Sequence, residues 1–466
     1  MRSNILLAAA MARLAAAAPT PQQFDFAAVL EAPSPSAVVP PLAVAADPTS
    51  TYSVDTAEIA ASVSAMVTTV ATASITGAEA SEASTQDPTA TAMKKRGWAD
   101  TTAKTTSTST STKMSSSTST SSAKTSTASS SAKTTSSSIP ATTSSTSTTN
   151  QQSTTSTTAS DTACPTTPEA GTYCGFINPE DPCAPQPDGY GPQVKPDTVA
   201  AFQAYPEFHK DAQNAVTPSG YANTFKDLNA STSANSYITY KDLTAYSTSD
   251  CATFCDNTDL CTAFNIYIER DPGLNPTNDG DTTNSTGSYC PNPTSITNYK
   301  CSLWGSSIDA TSATNGGGYR EDFQVVIVGS NGYDKTNSTT PPALPDYEPP
   351  TNCTGAISAG GSYWLGSSFF PGPFNPSLCA IYAKAQTATN KQAAQKKGAS
   401  SYTPANMLNA FMTKKNGVAQ GTYCSLYNTV LDKSWAGFKG GWSGANFIGV
   451  ESSWTYSLKN LDSGNL

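Results

Sequence analysis

Phe264, Ile266 and Ile268 alternate with Asn265, Tyr267 and Glu269, a period of two that predicts a half-buried β-strand. Phe323-Gln-Val-Val-Ile-Val328 predicts a second strand, ending at Gly329-Ser-Asn-Gly332. Lys300-Cys-Ser-Leu-Trp304 predicts a third, and Tyr237–Tyr246 a fourth that leads into a turn. Ser247-Thr-Ser-Asp250 then offers capping side chains for a helix carrying Cys251-Ala-Thr-Phe-Cys255. Residues four apart share one helix face, so these two thiols are poorly placed to bond each other and better placed to reach neighbouring strands. Two such segments carry partners, at Cys261 and Cys301. Further on, Pro376–Lys397 predicts a helix with a Lys-rich end, and Pro404–Lys415 a second helix. Gly421–Tyr427 and Trp454–Leu458 predict two more strands. The fold class is therefore α+β, a helix stapled to a small antiparallel sheet followed by a smaller α+β module.

Composition divides the chain of 466 residues. All eleven cysteines lie at or after Cys164. Met1–Ala18 has an apolar stretch ending in small residues and predicts a signal peptide at 1–18. Residues 19–96 are rich in Ala, Pro, Ser and Thr and end at Lys95-Arg96, a dibasic pair that suits a processing protease, so they read as a pro-segment. Residues 97–163 form a Ser/Thr-rich stalk that buries too little apolar surface to offset ordering entropy, and the N-terminal third reads as disordered. Residues 164–333 form a Cys-rich first module, 334–352 a Pro-rich linker and 353–466 a second module. Asn229, Asn284, Asn337 and Asn352 begin N-glycosylation sequons. No segment has the run of ~18 apolar residues that a membrane span requires.

The Cys-x3-Cys helix, the Cys261-x-x-Phe264 strand and the Cys301-x-Leu303 strand together resemble a PAN/apple domain over roughly 220–330. The resemblance implies the pairs Cys251–Cys301 and Cys255–Cys261, and a module that binds protein or carbohydrate without catalysis. Phe264–Pro272, Phe323–Gly332 and Gly417–Leu426 extend the likeness, over about 185–466, to a group of secreted fungal proteins with a PAN/apple-like core, called fruit-body-specific. In the second module Cys379 and Cys424 are candidates for a further bridge. An odd number of cysteines leaves one thiol free, or cross-linked to another molecule.

Charge and chemistry narrow the function. The net charge of −9 and the isoelectric point near 4.7 argue against nucleic acid, whose phosphates need clustered Lys and Arg. The single histidine, His209, rules out a zinc or copper site with two histidine ligands within the chain and has no Gly-x-Ser-x-Gly motif to accompany it. The loop Asn275–Asp281 gathers oxygen ligands but lacks the Glu of a calcium-binding loop. Glu269 with Asp271, and Glu321 with Asp322, are candidate carboxylate pairs for glycoside hydrolysis, although Arg270 is equally suited to a structural ion pair with Glu321 or Asp322. Trp364, Trp435 and Trp442 are candidate sugar contacts, Trp442 standing out in a Gly-rich loop; Trp304 and Trp454, on strands, read as core. The expectation is an extracellular, non-catalytic binding glycoprotein without cofactor or metal, recognising carbohydrate or protein at the fungal cell surface or wall. A structural wall protein held by its stalk or odd cysteine is the alternative, and a glycoside-active enzyme a third.

Overall fold

The computed structural model describes residues 24, 26–35, 61, 172–173, 176–177, 179–187, 189–277, 289–336 and 340–466. The signal peptide, the dibasic site at Lys95-Arg96, the stalk, Cys164, Cys174, Asn284, Asn337 and residues 278–281 of the candidate calcium loop lie outside them.

Two antiparallel sheets carry the fold. The first contains β3 (Tyr221–Leu228), β4 (Tyr237–Leu243), β5 (Ala263–Pro272), β6 (Ser295–Trp304), β7 (Gly317–Arg320) and β8 (Phe323–Lys335), in the order β3-β8-β5-β6-β4 with β7 also paired to β8. The second contains β9 (Thr351–Cys353), β10 (Trp364–Pro371), β11 (Met407–Lys415), β12 (Val418–Tyr427), β13 (Gly440–Ser443) and β14 (Asn446–Ser457), in the order β10-β12-β11-β14-β13 with β9 also paired to β14. The remaining strands, β1 (Thr172–Tyr173) and β2 (Phe176–Ile177), form a small hairpin. The helices are α1 (Ala27–Leu30), α2 (Val199–Gln203), α3 (Pro206–Asn214), α4 (Thr248–Asp256) and α5 (Pro376–Lys396).

The second sheet repeats the first, strand for strand. A long strand, β8 or β14, pairs on one side with both a distant early strand and its own short hairpin partner. Cys301 lies opposite Ile266, and Cys424 opposite Ala410, at the same place in each ladder. The helix between the edge strand, β4 or β10, and the central strand, β5 or β11, carries the bridging cysteine in both halves, giving Cys251–Cys301 and Cys379–Cys424. Each central strand holds a fully buried asparagine that clamps the long strand across a bulge. Asn265 Nδ2 donates to Ser330 Oγ and the Asn331 carbonyl, both at 2.9 Å. Asn409 Nδ2 donates to Ser453 Oγ at 3.0 Å and the Trp454 carbonyl at 2.9 Å. Their Oδ1 atoms accept the backbone N–H groups of Thr232 and Ile357, in equivalent loops. Gly317 and Gly440 open the two hairpins at φ +100° and +140°, where an added Cβ would collide with the carbonyls of Val325 and Ile448.

Sequence texture hides this repeat. Met407–Lys415 carries strong helix formers (Met, Leu, Ala, Lys) and reads as a helix, yet it is the central strand β11, buried on both faces and so lacking a period-two pattern. β5 does alternate, but its polar face is buried as well as its apolar one, so it is not half-exposed. The helix at 376–396 forms with Asn375 as N-cap, its side chain accepting from Ser377 N at 3.0 Å. Ser247 caps α4 by accepting from Asp250 N at 3.3 Å.

The two halves share one core. Phe225, Ala263, Trp304 and Ile308 from the first pack in a single cluster with Phe370, Phe374, Leu378 and Tyr456 from the second. The Pro-rich stretch 334–352 contributes Leu344 and Tyr347 to that cluster, so this part of it is packed structure rather than a free spacer. A second cluster lies wholly in the first half, between α4, α2, α3 and the sheet.

Candidate functional site

Glu269 and Asp271 do not open into a cleft. Their side chains are buried with Lys300, whose Nζ lies 2.9 Å from Glu269 Oε1 and 3.1 Å from Asp271 Oδ2. Arg320 Nη2 reaches Asp271 Oδ1 at 3.6 Å, and Asn298 donates to Asp271 Oδ2 at 2.8 Å. Burial, with the neighbouring Asp271, pushes the Glu269 carboxyl up to about 8. Burial opposes ionisation of Asp271 too, but Lys300 and Arg320 outweigh it and its pKa falls below the ordinary value. Glu269, Asp271 and Lys300 form one closed polar set inside the sheet. Arg270 pairs with Asp197 at 2.8 Å rather than with Glu321 or Asp322, and lies over the Phe323 ring. Glu321 and Asp322 form the turn of the β7–β8 hairpin. His209 bridges Asp227 Oδ1 and the Gln203 carbonyl, both at 2.8 Å, a structural tie between helix and sheet.

A cleft of about 310 Å³ opens where the two halves meet. Asp334 and Glu451 line it together with Lys335, Phe374, Trp454 and Pro341. Both carboxylates are aimed by consecutive backbone amides. Ser307 N donates to Glu451 Oε1 at 2.9 Å, and Ile308 N to Asp334 Oδ1 at 2.9 Å. Lys414 Nζ and Ser307 Oγ bind Glu451 Oε2 at 2.6 and 2.7 Å. Burial pushes Asp334 up to about 7, with Glu451 adding to the shift and the Ile308 amide and Lys414 opposing it. Sequence reasoning missed this pair because its members lie in different halves and neither sits in a motif.

The aromatic candidates separate. Trp442 is 74% exposed on β13, and the equivalent residue of the first hairpin, Tyr319, is 69% exposed. Trp442 meets the ring of its cross-strand partner Phe447 at 5.5 Å. Trp435 faces Tyr363 at 6.2 Å, both partly exposed. Trp364 is half-buried, and Trp304 and Trp454 are buried. Tyr319 was legible in the sequence only through Gly317-Gly-Tyr319 matching Gly440-Gly-Trp442.

The cysteines come together as Cys183–Cys290, Cys251–Cys301, Cys255–Cys261 and Cys379–Cys424. Four disulfides among the described residues fit an oxidising, extracellular setting. Cys353 is the free cysteine among the described residues, and it is buried. Asn229 and Asn352 are exposed, as glycosylation requires. No described helix is long and apolar enough to cross a membrane, and the described residues bring together no group of three His, Cys, Asp or Glu able to hold a metal. No protein-family model, curated protein or solved structure matches the chain.

Replacing Lys300 with Met strands a buried carboxylate. Lys300→Met is expected to lower the unfolding free energy by about 3–5 kcal/mol, measured by denaturant titration. Asp334 sets a pH dependence. Its folded pKa of about 7 lies above the ordinary 3.8, so the folded state holds the proton more tightly. That stabilisation is complete below about pH 4 and is lost as pH rises through about 7, at up to ~1.4 kcal/mol per pH unit. Thermal melts from pH 4 to 7 should show this decline in the wild type and a shallower one in Asp334→Asn.

Proposed function

We propose that the protein is a secreted, non-catalytic binding glycoprotein that holds polysaccharide at the fungal cell surface or wall, built from two PAN/apple-like modules in tandem. The observation that carries the reading is the pair of exposed aromatics, Tyr319 and Trp442, at equivalent positions of two rigid hairpins. An exposed indole or phenol face is suited to cover the C–H face of a sugar ring while the hydroxyls keep their water. Two such faces on one body suit a repeating polymer, because the second contact becomes intramolecular once the first is made. The helix stapled through Cys251 and Cys301, and its counterpart through Cys379 and Cys424, supports the PAN/apple-like assignment. Burial of Cys353 weighs against covalent anchoring through that thiol.

Binding of the full chain to insoluble chitin and β-glucan tests this. Trp442→Ala and Tyr319→Ala are each expected to weaken retention roughly tenfold, about 1.4 kcal/mol, and the double variant to abolish it. Unchanged retention in the double variant, with an unchanged melting temperature, would sink the reading.

A second reading rests on the inter-half cleft. Two carboxyls side by side, one with a raised pKa, are the groups that general acid–base hydrolysis of a glycoside uses, and Phe374 and Trp454 supply apolar walls. It predicts reducing ends released from soluble β-glucan or chitin oligomers, maximal below pH 7 and lost in Asp334→Asn and in Glu451→Gln. No release across that pH range excludes it and leaves the binding reading standing.

A further inference from the structure

The exposed face of the second sheet is covered by the N-terminal segment of its own chain. Phe26, Val29 and Ala32 are buried against Phe369, Phe411, Tyr423, Ile448 and Ala356. The Phe24 ring stacks on Phe438 at 4.1 Å and meets the edges of Phe411 and Tyr423 at 5.9 and 6.2 Å. Asn235 Nδ2, from a loop of the first half, donates to the Pro33 carbonyl at 2.9 Å and fastens the far end of the segment. Helix α1 is a single turn, too short to be stable alone, so its order comes from this packing.

The same face of the first sheet is polar, and there the segment around Gly189 approaches it through a hydrogen bond from Gly189 N to Asn298 Oδ1 at 2.7 Å. Lys300 stands where the second sheet has Tyr423, Tyr267 where it has Phe411, and Asp242 where it has Phe369. Charged groups there pair with one another, whereas the aromatic set of the second sheet needs an apolar cover. Removing residues 24–35 would open Phe369, Phe411, Tyr423, Phe438 and Ile448 to water. Yet the sequence places a processing site, Lys95-Arg96, between that segment and the rest of the fold.

We propose that residues 24–35 are a permanent strap, and that a chain cut at Lys95-Arg96 keeps its pro-segment as a second, non-covalently bound chain. The pro-segment is then a structural subunit of the mature protein, with Phe24, Phe26 and Val29 as its anchors in an aromatic groove of the second sheet. This inference does not depend on the carbohydrate reading, and its test reads no ligand.

The full chain, carrying a recognition sequence for a site-specific protease in place of Lys94-Lys95-Arg96, is cut to completion and passed through a native size-exclusion column at micromolar concentration. The N-terminal fragment is expected to co-elute with residues 97–466, identified by intact mass, and to leave only after denaturant. The same chain with Phe26→Ala and Val29→Ala is expected to lose its fragment, retention falling roughly 30-fold or more. Near-UV circular dichroism of the uncut double variant checks that its body is folded. Release of the wild-type fragment on the native column, with a monodisperse and folded body left behind, would overturn the proposal. So would full retention in the double variant.

Discussion

The central strand of each sheet is buried on both faces, and the rest of the structure follows from how those faces are covered. β5 and β11 each lie between two strands and under a helix, so neither face meets bulk water. On the helix side the solution is common to both halves. A cysteine on the helix bonds to the adjacent strand, at Cys301 or Cys424, and locks helix to sheet where apolar burial alone would leave a small layer marginal. One residue earlier, on the other face of the central strand, a buried asparagine serves the backbone where the long strand bulges. It satisfies a donor in the loop and two acceptors on the long strand at once, which is the condition for tolerating an amide inside a core.

On the opposite face the halves diverge. The first fills it with charge. Glu269, Asp271, Lys300 and Arg320 partner one another, an arrangement that costs desolvation and gains little net stability. Its effect is one of uniqueness, because a slipped register would strand a charge. The second fills it with aromatic rings and needs a cover from elsewhere, which residues 24–35 supply. Paired charges in one sheet and aromatic rings under an apolar strap in the other are two solutions to one constraint on one topology.

How far the sequence revealed this depends on where the signal was local. The helix bearing Cys251 and Cys255 has its cap, its spacing and its strand partners within a short stretch, and each was readable. β8 was readable from Phe323-Gln-Val-Val-Ile-Val328. β11 was not, because burial on both faces erases alternation and leaves only propensity, which pointed to helix. The role of Glu269 was obscured for a related reason. A carboxyl at a strand end looks available until the lysine that pairs with it, Lys300 on the neighbouring strand, is seen beside it. The Asp334–Glu451 pair exists only once the halves have closed on residues 307–308. The repeat itself was present in Tyr-Lys-Cys301-Ser-Leu-Trp against Thr-Tyr-Cys424-Ser-Leu-Tyr, and in Gly317-Gly-Tyr against Gly440-Gly-Trp. Different lengths of intervening helix and loop disguised it.

Comparing the halves separates what the scaffold needs from what it presents. The bridge to the strand cysteine, the clamping asparagine and the hairpin glycine at positive φ recur because the topology requires them. The Cys255–Cys261 bridge does not recur, so it is an addition to the first half rather than a requirement of the fold. Tyr319 and Trp442 recur too, yet they stabilise little: each projects into water from a hairpin whose geometry its glycine already fixes. An exposed ring repeated at one position of a duplicated scaffold, largely in water even where Trp442 touches Phe447, is a surface feature. Its explanation lies in what the surface touches.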